Sequence, residues 1–420
     1  MQSLKTMLLA ALVAAMPAAA QEAADTAGYQ RFRFGGYGEM VAAFKNYDIN
    51  RFGAHGSDRH NRATIAIPRA VLAFDYKFNP KWILGCEIEF EAGGTGQAVE
   101  LENSENGEYE TEIEKGGEVA LEQLHITRLI IPEFNVRVGH LILPVGLTNS
   151  HHEPINFFGT VRPESETAFL PSTWHETGLE LFGTLGHFNY QAMITAGLNA
   201  NGFDRNEWVA PGKQGLFETD NFTSPAYTLR VDYSGVKGLR VGASGYFCPS
   251  TGANADKAQQ YAAYKRIPVG IVTADAQYRN RLVTARAQFV YGTLGNSTAV
   301  NERNVRLPGA SPYSRLTPVA SRTMSYGVEV GVNIRKFTPF VRYEYFNPQY
   351  RTARGYTPDD RLEVSKWTGG VNWFALPNLV VKADYSHRMV GTQNPFGPGR
   401  YNSEGEFSLG VAYIGWFISK

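Results

Sequence analysis

Residues 324–335 read Met-Ser-Tyr-Gly-Val-Glu-Val-Gly-Val-Asn-Ile-Arg. Met324, Tyr326, Val328, Val330, Val332 and Ile334 hold one parity, and Ser325, Gly327, Glu329, Gly331, Asn333 and Arg335 hold the other. Successive side chains on a strand point to opposite faces, so this stretch has one apolar face and one polar face. A helical period would spread the apolar residues around a cylinder instead. After a turn at Lys336 the same pattern resumes over residues 337–347. The pair therefore reads as an antiparallel hairpin, apolar on one side only.

The theme recurs in both directions along the chain. Tyr227, Leu229, Val231 and Tyr233 alternate with Thr228, Arg230, Asp232 and Ser234. Trp82, Leu84, Cys86, Ile88 and Phe90 alternate with Ile83, Gly85, Glu87, Glu89 and Glu91. Sixteen such segments are expected, over 31–44, 62–78, 82–92, 118–131, 135–142, 177–186, 188–198, 225–234, 239–249, 267–279, 281–292, 323–335, 337–347, 363–375, 379–390 and 406–418. Their connections alternate between short turns, such as Asn79-Pro80-Lys81, and long loops, such as 93–117 and 143–176.

An even strand number, turns at one end and long loops at the other are signs of a transmembrane β-barrel. Aromatic side chains beside the short turns agree with it: Trp82, Tyr76, Phe78, Tyr233, Tyr278, Trp373 and Tyr385. A soluble sandwich would bury the apolar faces between two sheets and needs no such asymmetry of loops. The expected fold is all-β: one antiparallel barrel of sixteen strands spanning residues 21–420.

Composition narrows the function. The chain has 420 residues, 43% of them hydrophobic and 19% charged, which excludes disorder. Forty basic residues balance forty acidic ones, so no nucleic-acid partner is expected. Residues 1–20 combine Lys5, the apolar run Met7–Met16 and Ala18-Ala19-Ala20, the pattern of a cleaved export signal. The expected location is the outer membrane of a bacterium, with its lipid bilayer as one partner. Cys86 and Cys248 fall on distant strands, so no disulfide is expected.

Sixteen strands enclose a lumen too wide for side chains to fill, which implies an aqueous channel. The polar parity then lines it. Arg137, Arg230, Arg240, Arg286, Arg342 and Lys382 stand on the basic side, against Glu87, Glu89, Glu180, Asp232, Asp275, Glu329 and Glu344. Most of these are expected to pair across neighbouring strands. No cofactor is implied, and no nucleophile and base at catalytic spacing are evident, so the chain is expected not to be an enzyme.

Two long loops stand out. Segment 143–176 is rich in proline and aromatic residues, including Phe157, Phe158, Phe169, Leu170 and Trp174, and should pack inside the barrel. Its polar residues His151, His152, Glu153, Arg162, Glu164 and Glu166, together with His175 and Glu176, would form the pore constriction. His151, His152 and His175 are also weighed as metal ligands, without the spacing of a compact site. Loop 93–117 carries Glu100, Glu102, Glu105, Glu108, Glu110, Glu112 and Glu114 against Lys115, and reads as a solvated outer loop.

The run Val136-Arg137-Val138-Gly139-His140-Leu141-Ile142-Leu143-Pro144-Val145-Gly146-Leu147, followed by Thr177-Gly178-Leu179-Glu180-Leu181-Phe182-Gly183, resembles the phosphate-selective porin O and P family. The resemblance implies a sixteen-stranded outer-membrane barrel, often a homotrimer, with the third outer loop narrowing the pore. His140 stands where the family has Gln, and Val145 where it has Phe. Segment 143–176 has one arginine, Arg162, in place of a basic ladder. The expected function is therefore passive diffusion of small anionic or neutral solutes. The alternatives are a surface binding or adhesive barrel with a closed lumen, and a hydrolase using the loop histidines and glutamates.

Overall fold

A computed structural model describes residues 29–47, 60–94, 98–103, 109–114, 117, 119–214, 219–255, 257–262, 265–306, 317–390 and 404–420. The expected export segment 1–20 lies outside them. The first half of the chain supplies β1 (Phe32–Tyr47), β2 (His60–Asn79), β3 (Trp82–Glu91), β4 (Ala98–Asn103), β5 (Tyr109–Glu114), β6 (Val119–Ile131), β7 (Phe134–Ile142), β8 (His175–Leu185) and β9 (Phe188–Thr195). The second half supplies β10 (Ala226–Val236), β11 (Leu239–Cys248), β12 (Val269–Arg279), β13 (Val283–Leu294), β14 (Arg322–Val332), β15 (Phe337–Arg351), β16 (Val364–Leu376), β17 (Leu379–Val390) and β18 (Glu404–Ser419).

Sixteen of these strands close into one antiparallel barrel in chain order. The ring is sealed where β1 meets β18, with Tyr37 opposite Ile414 and Phe44 opposite Phe407. Closure matters because an open edge in lipid leaves backbone groups unsatisfied at several kcal/mol each. The sixteen barrel strands coincide with the sixteen alternating segments, apart from a few residues at their ends. Loop 93–117, expected to be a solvated loop, holds two further strands among the described residues. Its backbone forms the separate two-stranded hairpin β4–β5, in register from Ala98–Glu114 to Asn103–Tyr109.

Burial follows parity. On β14, Val328 and Val330 are 48% and 39% exposed while Glu329 between them is 5% exposed. Apolar groups thus cover the outer surface and polar groups turn inward, the reverse of a soluble protein. Aromatic residues flank the short turns as expected at Tyr76, Phe78, Tyr278 and Trp373, all exposed. Tyr385 departs from that pattern: it stands along β17 opposite Gly369 and Phe407, away from a turn. Cys86 and Cys248 are both free and buried.

The main apolar core is not between sheets. It forms where Leu143, Phe169, Leu170, Trp174, Leu198, Phe203, Trp208, Ile267, Val300 and Val319 of the long connections pack against strand residues such as Tyr246, Val269, Ile271, Val290 and Phe346. The indole of Trp208 packs beside Gly292 and donates to the Ala320 carbonyl at 3.0 Å. Period-two reading marks the strand residues of this core but has nothing to say about its members in the long connections.

Candidate functional site: segment 143–176 and the inner wall

Segment 143–176 leaves β7 through Leu143-Pro144-Val145-Gly146, and two glycines set its path. Gly139 has φ +139°, and a Cβ there would lie 2.1 Å from the Leu124 carbonyl oxygen. Gly146 has φ +85°, and a Cβ there would meet the Glu166 carboxyl group at 2.6 Å. Only glycine takes such backbone angles and spacings without strain. The Glu166 carboxylate then accepts from the backbone N–H groups of Thr148, at 2.9 Å, and Asn149. One side chain thereby folds the segment back on itself.

Polar residues of the inner wall hold the rest. Lys382 on β17 donates to the carbonyls of Phe157 and Gly159 at 3.0 and 2.7 Å. Asp384 accepts from Thr160 N at 2.8 Å, and Glu344 on β15 accepts from Ser165 N at 2.9 Å. Arg342 donates to the carbonyls of Val161, at 3.2 Å, and Phe158. Arg230 on β10 donates to Gly146 O at 3.2 Å, and Arg69 on β2 donates to His152 O. The wall partners are thus spread round the ring, on β2, β10, β15 and β17 among others.

The eight expected constriction residues fall into two groups. His151, Glu153, Arg162 and Glu164 keep partial exposure. His152, Glu166, His175 and Glu176 are buried against protein. Glu164 sits between Lys366 at 2.9 Å and Arg388 at 3.1 Å. Burial would raise its pKa, but the two cations overcome it and hold the carboxyl at about 2. Arg162 bonds to Ser172 Oγ at 2.7 Å, and Glu153 accepts from Asn156 at 2.7 Å. Glu176 accepts from the Trp174 indole at 3.2 Å and from Gln214 N at 3.2 Å. Burial pushes the Glu166 carboxyl up to about 7 in spite of its two backbone donors.

The three histidines weighed as metal ligands do not come together. His151 meets Arg240, and burial and that guanidinium both push its pKa down, so the neutral ring accepts from Arg240. His175 meets His140. His152 lies 2.7 Å from Glu122 and 2.9 Å from the Tyr37 hydroxyl. Burial alone would lower the pKa of His152; the Glu122 carboxylate reverses that and carries it up to about 9. Glu122 was not singled out from the sequence. It belongs to the inward parity of β6, but the β3–β6 register shifts between Glu87 and Ile88, which blurs the alternation there.

Of the six basic residues expected on the wall, Arg230, Arg286, Arg342 and Lys382 are buried, Arg137 and Arg240 are partly exposed, and most are paired. Arg137 bonds to Glu180 at 2.7 Å, and Arg230 bridges Asp232 and Asp275 at 2.8 and 2.9 Å. Arg240 reaches Asp232 at 3.2 Å, and Glu329 joins Arg286 to Arg342. Beside the segment lie two spaces. One, a small space of about 30 Å³, is lined by His151, Arg286, Glu329, Arg342 and Glu344. Another of about 450 Å³, open to solvent, is lined by Arg279, Arg286, Asn333 and Asn372. Phe157 and Arg286 border both.

No family model matches the chain. An uncharacterized protein of Aquifex aeolicus is 26% identical over 363 residues, which is 84% of this chain and 74% of that protein. Among solved structures, Salmonella typhi OmpF in complex with daunomycin superposes with TM-score 0.56 at 12% identity, over 92% of this chain and 98% of OmpF. An anion-selective porin from Comamonas acidovorans superposes with TM-score 0.52 at 9% identity, over 92% of this chain and all of that one. OmpT, an outer membrane protein of Vibrio cholerae, is also among the similar chains, with TM-score 0.48 and 12% identity over 93% of this chain and 99% of that one. The expectation that this chain is not an enzyme is withdrawn. Its basis was a missing motif, and a fold shared at 9–12% identity does not fix what chemistry a chain carries. What the likenesses establish is the fold: a closed, sixteen-stranded transmembrane barrel of the porin type.

Proposed function

We propose that the chain is an outer-membrane diffusion channel for small hydrophilic solutes, narrowed by segment 143–176. The observation that carries this is the closed sixteen-stranded barrel whose polar residues turn inward, with spaces beside segment 143–176 that Phe157 and Arg286 both line. Hydrogen bonds from β2, β10, β15 and β17 converge on the same segment, which supports its lying across the lumen. Arg286 and Arg342 face Glu329 and Glu344 along the smaller space, so mixed charge and weak selectivity among anionic and neutral solutes follow. The motif spanning Val136–Leu147 supports kinship with the phosphate-selective porin O and P family, and with it an exported precursor and a trimeric assembly. Planar-bilayer recordings of the folded barrel test the proposal. Stepwise conductance is expected, and its absence from demonstrably folded protein overturns it.

One observation favours a second reading, a surface-binding barrel with a closed lumen. The long connections form an apolar core, and such a lid could shut the passage. Liposome swelling separates the two: entry of small sugars supports the channel, and exclusion of every sugar supports the closed barrel.

A further inference from the structure

We propose that Glu87, Glu122 and His152 form a binding site for a divalent transition-metal ion, with zinc as the reference case. One donor atom from each lies within 4.8 Å of the others, and among the described residues this is the set that could hold an ion. A tetrahedral zinc site with bonds of about 2.0–2.1 Å places its ligands roughly 3.3 Å apart, so modest side-chain rotation closes the set. An imidazole and two carboxylates are donors that zinc accepts together. The Tyr37 hydroxyl, 2.9 Å from both His152 Nε2 and Glu122 Oε2, stands ready as a further donor or as the anchor of a bound water.

Charge gives an independent reason. Glu39, Glu89 and Glu122 are buried, with Glu87 beside them, and Arg69 is the guanidinium that serves the group. Glu89 Oε1 is buried without a hydrogen-bond partner and stands 3.8 Å from Arg69 Nη1. Buried carboxylates in excess of their cations are costly unless a proton or a metal ion joins them. Glu122 and His152 are enclosed, while Glu87 is half-buried and gives an ion its way in. Glu87 also accepts from Gln123 Nε2 at 2.9 Å, an outer hydrogen bond of the kind that orients metal ligands.

The site would join three parts of the chain: β3, β6 and segment 143–176. It does not depend on transport, so binding can be present or absent whether or not the barrel conducts.

The test is titration of the folded, chelator-treated barrel in detergent with Zn²⁺ by calorimetry, and with Co²⁺ by visible absorption. One equivalent of zinc and Co²⁺ bands of nitrogen–oxygen ligation are expected. Glu122→Gln and His152→Gln should each weaken binding at least tenfold. Glu87→Gln, at the half-buried edge, should do the same while leaving the buried network folded. His151→Gln, against Arg240, should leave binding unchanged. No binding to folded protein overturns the proposal, as does binding that Glu87→Gln leaves intact.

Discussion

At the scale of single residues, His152 ties segment 143–176 down through its protonated form, which Glu122 holds. Folding raises the pKa of His152 from 6.5 to about 9 through Glu122, and that of Glu166 from 4.5 to about 7 through burial. A raised pKa in the folded state means a contribution fully present below the unfolded value and lost as pH climbs through the folded one. For His152 that window runs from 6.5 to about 9, and its full contribution is on the order of 3 kcal/mol. In metal-free buffer, proteolysis within residues 143–176 should therefore quicken as pH rises from 6.5 to about 9, and His152→Gln should flatten the rise. Digestion followed by mass spectrometry reads both. Gly139→Ala should destabilise the barrel by about 1–3 kcal/mol through its left-handed backbone and the close Leu124 carbonyl, measured as a lower urea midpoint in lipid. The glycine is visible in the sequence. The contact that makes it necessary is not, because the neighbouring strand is what supplies it.

At the scale of elements, period-two alternation carried nearly all the information. Residues 324–335 show why: a strand with lipid on one side and polar side chains on the other separates its residues by parity, and β14 does so without a fault. Val328→Lys would place a charge on the lipid face and should cost about 2–4 kcal/mol, while Val328→Leu should be near neutral. Folding yields into liposomes distinguish them. Glu122 marks where alternation stops being legible. The register shift beside Glu87 breaks the phase that connects it to its partner strand, so its meeting with His152 is a tertiary fact. The hairpin β4–β5 is legible by the same rule: Val99, Leu101 and Ile113 alternate with Glu100, Glu102, Glu112 and Glu114, but the density of acid draws the reading to a solvated loop.

At the scale of the whole molecule, closure by β1 and β18 joins residues from opposite ends of the chain, and strand count with loop asymmetry foretold it. The apolar core of the long connections was not foretold beyond segment 143–176. Trp208 and Val319 gain their burial from each other's loops, and no local pattern encodes that. The central claim is a wet passage inside a lipid-facing barrel, running past Arg286. Thiol modification during single-channel recording tests it most directly, in protein carrying Cys86→Ala and Cys248→Ala. With Arg286→Cys, a charged water-soluble reagent should change the unit conductance at once. With Val328→Cys, on the outer face, it should change nothing. An unchanged conductance for Arg286→Cys, with the reagent shown by mass to have reacted, would contradict the passage.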